Sequence, residues 1–471
     1  MSGEREPAGD EPAGPGSGAA SGTAADGTPG GGTGSTTRPR FGRLWSHPDF
    51  LKFWTGETVS LFGTQVTFLA LPLTAVLVLG ADAKQLGVLR FLEYLPFILF
   101  TLIFGVWVDR RRRRPVMIVS NAVRAVLIGL IPLLSVLGLL DELGLPALYL
   151  VAFAVGTFTV LFDLSWMSYV PTIVGRSDLV EANSKVATSY AAAEVAGPGL
   201  GGALVQLVGA PRALALDAAS YVVSAISLLM IRTKEPAPAP RPAAERSLVR
   251  EMAEGMRFIL DNRYLRAIAA QGAIFNFALM ATDPVFLLYA VRELDFSAGL
   301  VGLVYGVGAV GGVVGAALAS TASRRLGYGR AFVTAVVLGT VPAFLLPVAA
   351  GPEPMLAALF ILAFLLIRTG VGVSNVLAIT LRQTVTPNAM LGRMNASMRM
   401  ILYGVGTLGA LVGGLLGATL GLRPALWVAA VLFVASIPPV LLSSIPGLRT
   451  LPEPEEEPAR PAQAESRMST D

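Results

Sequence analysis

Between residues 50 and 445 the chain is a near-continuous succession of apolar runs, separated by short polar breaks. A helix rises about 1.5 Å per residue, so roughly 20 apolar residues cross the hydrocarbon core of a bilayer. The runs fall at 50–79, 86–108, 115–139, 146–171, 184–208 and 212–231. After a polar stretch they resume at 264–290, 298–321, 330–350, 355–380, 394–421 and 424–445. This pattern predicts an all-α membrane protein with twelve transmembrane helices. Residues 1–44 are expected to be a disordered cytoplasmic tail, 45–231 an N-terminal six-helix half and 232–262 a cytoplasmic linker. Residues 263–446 then form a C-terminal six-helix half, and 447–471 a second disordered cytoplasmic tail.

Composition excludes the main competitors. Hydrophobic residues make up 53% of the chain and charged residues 14%, against about 25% charged in a soluble domain. A water-soluble enzyme of this size would lack the polar groups to cover its surface. Cysteine is absent, which removes disulfides, thiol chemistry and thiolate metal sites. The single histidine, His47, precedes the first run and reads as an interfacial residue, so neither a metal site nor a cofactor is expected. No Gly-Lys pair occurs anywhere, which excludes a phosphate-binding loop and a built-in ATPase. No nucleophile–base constellation appears, so the chain is not read as an enzyme, and no nucleic-acid partner is expected.

Loop charge sets the orientation. Alternate loops carry Arg110 to Arg114, Arg176, a cluster from Arg232 to Arg263, then Arg324, Arg325, Arg330, Arg382 and Arg393. The opposite loops hold only Lys84, Arg212, Arg292 and Arg423. Both termini are therefore expected on the cytoplasmic side of a bacterial cytoplasmic membrane.

Shifting the sequence by 212 residues exposes an internal repeat. Thr172 then falls on Thr384, Asn183 on Asn395, Gly197 on Gly409, Gly201 on Gly413, Gly202 on Gly414 and Gly209 on Gly421. Spans 5 and 6 recur as spans 11 and 12. An offset of six helices makes the repeats parallel, which is the arrangement of an alternating-access transporter with a site between its halves.

At the inner end of span 2 stands Gly-x-x-x-Asp-Arg-x-x-Arg-Arg, formed by Gly105, Asp109, Arg110, Arg113 and Arg114. Here the chain resembles the major facilitator superfamily over about 45–446. The resemblance implies that Gly105 lets spans 2 and 11 pack closely. It also implies that Asp109 pairs with a basic residue and a helix N-terminus to latch the inner gate. Arg112 stands where that family has a second glycine, and the second half carries only Ser323-Arg324-Arg325, without the acid. Span 5 contains Gly197-Pro198-Gly199-Leu200-Gly201-Gly202, similar to the antiporter motif of drug:proton exchangers in the superfamily. The same residues match a dinucleotide fingerprint, but inside an apolar span with no preceding strand that match carries no meaning. The stretches Leu161–Pro171, Glu181–Asn183 and Glu194–Pro198 look most like the branch that holds enterobactin exporters and macrolide-efflux proteins.

Ionisable residues inside spans are costly and by default functional. Arg124, Asp163 and Glu194 lie at roughly 14, 12 and 16 Å from the inner face by helix arithmetic. Arg124 and Asp163 are expected to form an ion pair, leaving Glu194 to take and release the coupling proton. Arg124 would act in place of the superfamily's span-4 arginine motif, which is missing from 146–171. The resemblance places spans 1, 4, 7 and 10 around the cavity and so points to Glu57, Asn276 and Arg368 as substrate contacts. Phe158, Phe162 and Trp166 would supply an apolar wall. Asp217 and Asp283 read as interfacial. The expected function is proton-coupled export of amphipathic small molecules by a monomer in the lipid bilayer. The alternatives are a proton-coupled nutrient symporter and a non-transporting sensor on the same fold.

Overall fold

The computed structural model describes residues 42–175, 178–235 and 248–452. The expected tails lie outside these residues, apart from Gly42–Leu44 and 447–452. Those two stretches are ordered: Arg43–Ser46 forms a 3-10 turn with Leu44 buried, and Arg449 O accepts from Tyr328 N at 3.2 Å.

Twelve long apolar helices are present among the described residues. The first six are α1 (Pro48–Leu77), α2 (Ala83–Asp109), α3 (Arg113–Val136), α4 (Leu140–Ile173), α5 (Leu179–Val208) and α6 (Ala210–Leu229). The linker contributes α7 (Leu248–Asp261), a strongly amphipathic helix that hydropathy did not reveal. The second six are α8 (Arg263–Glu293), α9 (Ala298–Leu326), α10 (Tyr328–Val348), α11 (Glu353–Thr384), α12 (Leu391–Leu420) and α13 (Leu422–Leu441).

Local chemistry fixes the helix ends. His47 caps α1, its Nδ1 accepting from Phe50 N at 3.1 Å. Asp82 and Gln85 form a reciprocal capping box at the start of α2. Gly209 and Gly421 are matched by the repeat and take φ of +86° and +93°. Each makes a one-residue turn, between α5 and α6 and between α12 and α13, that a residue with a side chain would strain.

The two halves pack alike. α1 lies against α5 and α6, and α8 against α12 and α13; α3 packs on α4 as α10 packs on α11. Between halves the main seams are α2 with α12 and α5 with α9. The even number of spans puts Pro48 and Leu441 on one face of the bundle, termed the terminal face; the other is the far face. At the terminal face Arg113 N and Arg114 N donate to Glu235 at 2.7 and 3.1 Å, and Arg114 also bonds Leu228 O and Leu229 O. These contacts bind α3 to the end of α6. α7 docks on α12, through Arg393–Glu254 at 3.0 Å and Ser397 Oγ to Met252 O at 3.3 Å. The linker helix therefore belongs structurally to the second half.

Candidate transport site

The seams are tight only toward the far face. A Cβ at Gly87 would meet Ala410 O at 2.6 Å, and one at Gly414 would meet Ala83 O at 2.6 Å. On the other seam Gly202 lies against Ala298 and Gly302, and Gly302 against Pro198. Backbone meets backbone at both crossings, as small residues permit. The Gly197–Gly202 motif serves both sides of α5: Gly197 packs on Gln65 and Gly201 on the Val66 backbone of α1, while Gly202 faces α9. Pro198 is buried within it.

Toward the terminal face the halves part. A Cβ added at Gly105, Gly392 or Gly404 would have no neighbour within 4 Å. The close packing expected at Gly105 is therefore not made in this state, because α2 and α12 diverge below their far-end crossing. Asp109 and Arg110 are exposed at the end of α2. A crevice of about 300 Å³ lies among Phe97, Ile98 and Leu102 of α2, Leu164 of α4, and Met400 and Tyr403 of α12.

The charged residues within the spans divide into three groups. Arg124 is 4% exposed and hydrogen-bonds Asn121; its guanidinium stands 4.4 Å from the Phe162 ring and 4.3 Å from the Tyr221 ring. The expected contact pair with Asp163 is not formed, since two aromatic faces hold the cation instead. The charge of Arg124 still reaches Asp163 and the buried Glu57. Asp163 also feels Arg399 across the crevice and makes no hydrogen bond or ion pair with a described residue. In the second group Glu194 pairs with Arg368 of the other half at 3.0 Å, the side chains being 52% and 36% exposed. Sequence grouped Glu194 with Arg124 and Asp163; the geometry gives it a different partner.

The third group centres on Arg90, which the sequence did not single out. Arg90, 3% exposed, lies 3.0 Å from Glu93 and 2.8 Å from Asp283 of α8, and donates to Phe68 O at 3.1 Å. Tyr305 Oη extends the cluster to Asp283 at 3.5 Å. Asp283 thus joins the halves near the far face and is no interfacial residue. Asp217 is fully buried, taking hydrogen bonds from Thr67 and Ser220.

Of the expected apolar wall, Phe162 is buried beneath Arg124 and closed to the cleft. Phe158 faces a groove beside Trp107, Pro115 and Val119, on the α3 side of α4. Trp166 is half-buried, edge-on to Tyr190 at 6.4 Å. Glu57 is 5% exposed, too enclosed for direct contact in this state. Asn276 lines a cavity inside the second half, while Arg368 borders a small pocket beside Phe275, Phe364 and Phe433 and pairs with Glu194 of the other half. The cleft's aromatic wall comes instead from Phe97 and Tyr403, stacked at 6.5 Å.

Two six-helix halves, tightly crossed at one face and parted at the other, are the architecture of a membrane transporter. The sequence profile described as Major Facilitator Superfamily matches residues 53–409, and the chain belongs to that superfamily. It is 27% identical over 352 residues to the enterobactin exporter EntS of Citrobacter koseri, covering 74% of this chain and 80% of that one. To the multidrug efflux pump Tap of Mycolicibacterium fortuitum it is 25% identical over 402 residues, covering 83% and 93%. The fold is also similar to an inward-facing bacterial homologue of the iron transporter ferroportin, with TM-score 0.68 and 18% identity over 84% of this chain and 98% of that one. The outward-facing form of such a homologue gives 0.56, with 19% identity over the same shares. The protein is a multi-pass membrane transporter whose curated relatives are exporters.

Proposed function

We propose that the protein exports amphipathic small molecules from the cytoplasm in exchange for protons. The observation that carries this reading is the Glu194–Arg368 ion pair, which bridges the halves with both side chains partly open to solvent. A carboxylate that releases its arginine on protonation links proton uptake to the contact between halves. Asp163, unpaired among the described residues and facing the charges of Arg124 and Arg399, is a second proton acceptor. One charge crossing about 150 mV supplies roughly 3.5 kcal/mol, enough for a gradient of a few hundredfold.

The arginine-rich loops support a cytoplasmic terminal face, and with it an inward-facing state in a bacterial inner membrane. On closure of that face, Asp109 and Arg110 to Arg114 latch α2 against α12, and Gly105 meets its neighbour. The protein acts as a monomer. The relatives' named cargoes, enterobactin and multiple drugs, make amphipathic natural products the first compounds to try.

Inside-out vesicles with an imposed proton gradient test this. Some member of a panel of dyes, macrolides and siderophores should release protons, and Glu194→Gln should abolish the release. Proton-driven uptake in the opposite sense would replace export by symport, a reading favoured by the amides of the second-half cavity. Proton release that survives both Glu194→Gln and Asp163→Asn would place coupling elsewhere.

A further inference from the structure

The second half contains a cavity that neither the gate nor the coupling residues use. It has a volume of about 270 Å³ and lies among α8, α10, α11 and α12. Arg382, in the last turn of α11, lines it near the terminal face. Charge counting makes this arginine one more topology marker. In the structure its Nε is sealed from solvent, and it has no hydrogen bond or ion pair with any described residue.

Seven residues earlier in α11, about 10 Å deeper, Asn375 lines the same cavity. Gln271 and Asn276 of α8 face it from the opposite side. Gln271 and Asn375 have no hydrogen-bonding partner among the described residues, and Asn276 donates one proton to Gly272 O at 2.8 Å. No Asp or Glu is among the lining residues. A guanidinium offers five donors in a fixed fork, and those of Arg382, half-buried with its Nε closed to solvent, are used by no described residue. The group that completes such a site carries negative charge and several acceptor oxygens.

Tyr403 borders both this cavity and the apolar crevice between α2 and α12. A cationic compartment and an apolar one thus share a wall. We infer that Arg382, with the amides of Gln271, Asn276 and Asn375, binds the oxyanion group of an amphipathic solute whose apolar body lies in the crevice beyond Tyr403. The inference deepens the export reading by naming the cargo as an amphipathic anion. A phospholipid headgroup offers the same oxyanion chemistry, so the test separates the two sources.

The full chain in phosphatidylcholine nanodiscs is titrated with naphthoate and with its neutral isostere naphthamide. Naphthoate is expected to bind at least about tenfold more tightly. Arg382→Gln should erase that preference, Arg382→Lys should keep part of it, and Arg324→Gln at the exposed end of α9 should leave it intact. Affinity for naphthamide should not change in any of the four proteins. Melting temperatures verify folding, and Asn375→Leu provides a second variant that should weaken naphthoate alone. Equal binding of acid and amide by the native protein, or a preference that outlasts Arg382→Gln, overturns the site. Displacement of naphthoate by phosphatidylglycerol in the discs overturns it in favour of a headgroup; indifference to phosphatidylglycerol supports it. Binding with the expected preference, in a protein that moves no compound in vesicles, would sink the export reading and leave this site standing.

Discussion

Glu194 and Arg368 meet at 3.0 Å from opposite halves of the molecule with a third to a half of each side chain exposed. Arg90 and Asp283 also join the halves, at 2.8 Å, but with Arg90 only 3% exposed. Burial separates the two. The first pair stands partly open to solvent, whereas the arginine of the second is closed to it.

Because the Glu194–Arg368 pair is solvated, its worth to folding is small, about 0–1 kcal/mol as for other exposed pairs. Glu194→Gln should therefore leave the melting temperature in detergent nearly unchanged while abolishing substrate-driven proton release. A large fall in melting temperature would show that the pair is a structural clamp.

Arg90→Gln should act in the opposite way. It leaves Glu93 and Asp283 without their cation in a site closed to water, a loss of about 3–5 kcal/mol in this state. The far face should open, and a single cysteine placed at Leu300 should react severalfold faster with a polar maleimide. The native chain has no cysteine, so the label reports one position. Unchanged reactivity would remove the cluster from the gate.

Leucine at Gly202 or Gly414 should force the far-face crossings apart, since the neighbouring atoms are backbone. Overpacking costs about 1–3 kcal/mol, enough to shift a two-state balance roughly 5- to 150-fold. A single cysteine at Ala396, in the open crevice, should then lose reactivity as the terminal face closes. Retained reactivity at Ala396 in a folded Gly202→Leu protein would show that opening one face does not close the other.

Arg124 stands between two rings while its charge reaches two carboxylates. Arg124→Leu removes the cation these carboxylates face and should cost about 3–5 kcal/mol, seen as a marked drop in melting temperature. Arg124→Lys keeps the charge without the flat guanidinium and should cost less. Equal melting of both variants would mean that charge plays no part there.

Much of the fold could be read from the chain because a bilayer demands long apolar runs, and twelve were visible. The repeat was equally plain, since glycines such as Gly202 and Gly414 perform the same close approach in each half. α7 was not visible: its two faces differ so strongly that mean hydropathy hides it. The site was read less completely. Helix arithmetic gives depth but not direction around the axis, so Glu194 was grouped with Arg124 and Asp163 when it faces Arg368. Phe162 sat at the right height and pointed into the first half, under Arg124. Arg90 went unnoticed because its partner Asp283 lies far along the chain, and Arg382 was counted only as a loop charge.

The glycine crossings at the far face have a mechanical consequence. Glycine has no rotamers to lose or regain, so these contacts form and part without side-chain entropy. In an alternating cycle they would serve as bearings for one half to roll against the other, with the Arg90–Glu93–Asp283 cluster as the bolt set between them. Changes to the bolt should alter how long the protein dwells in each state, while changes to the bearings should alter whether it can turn at all.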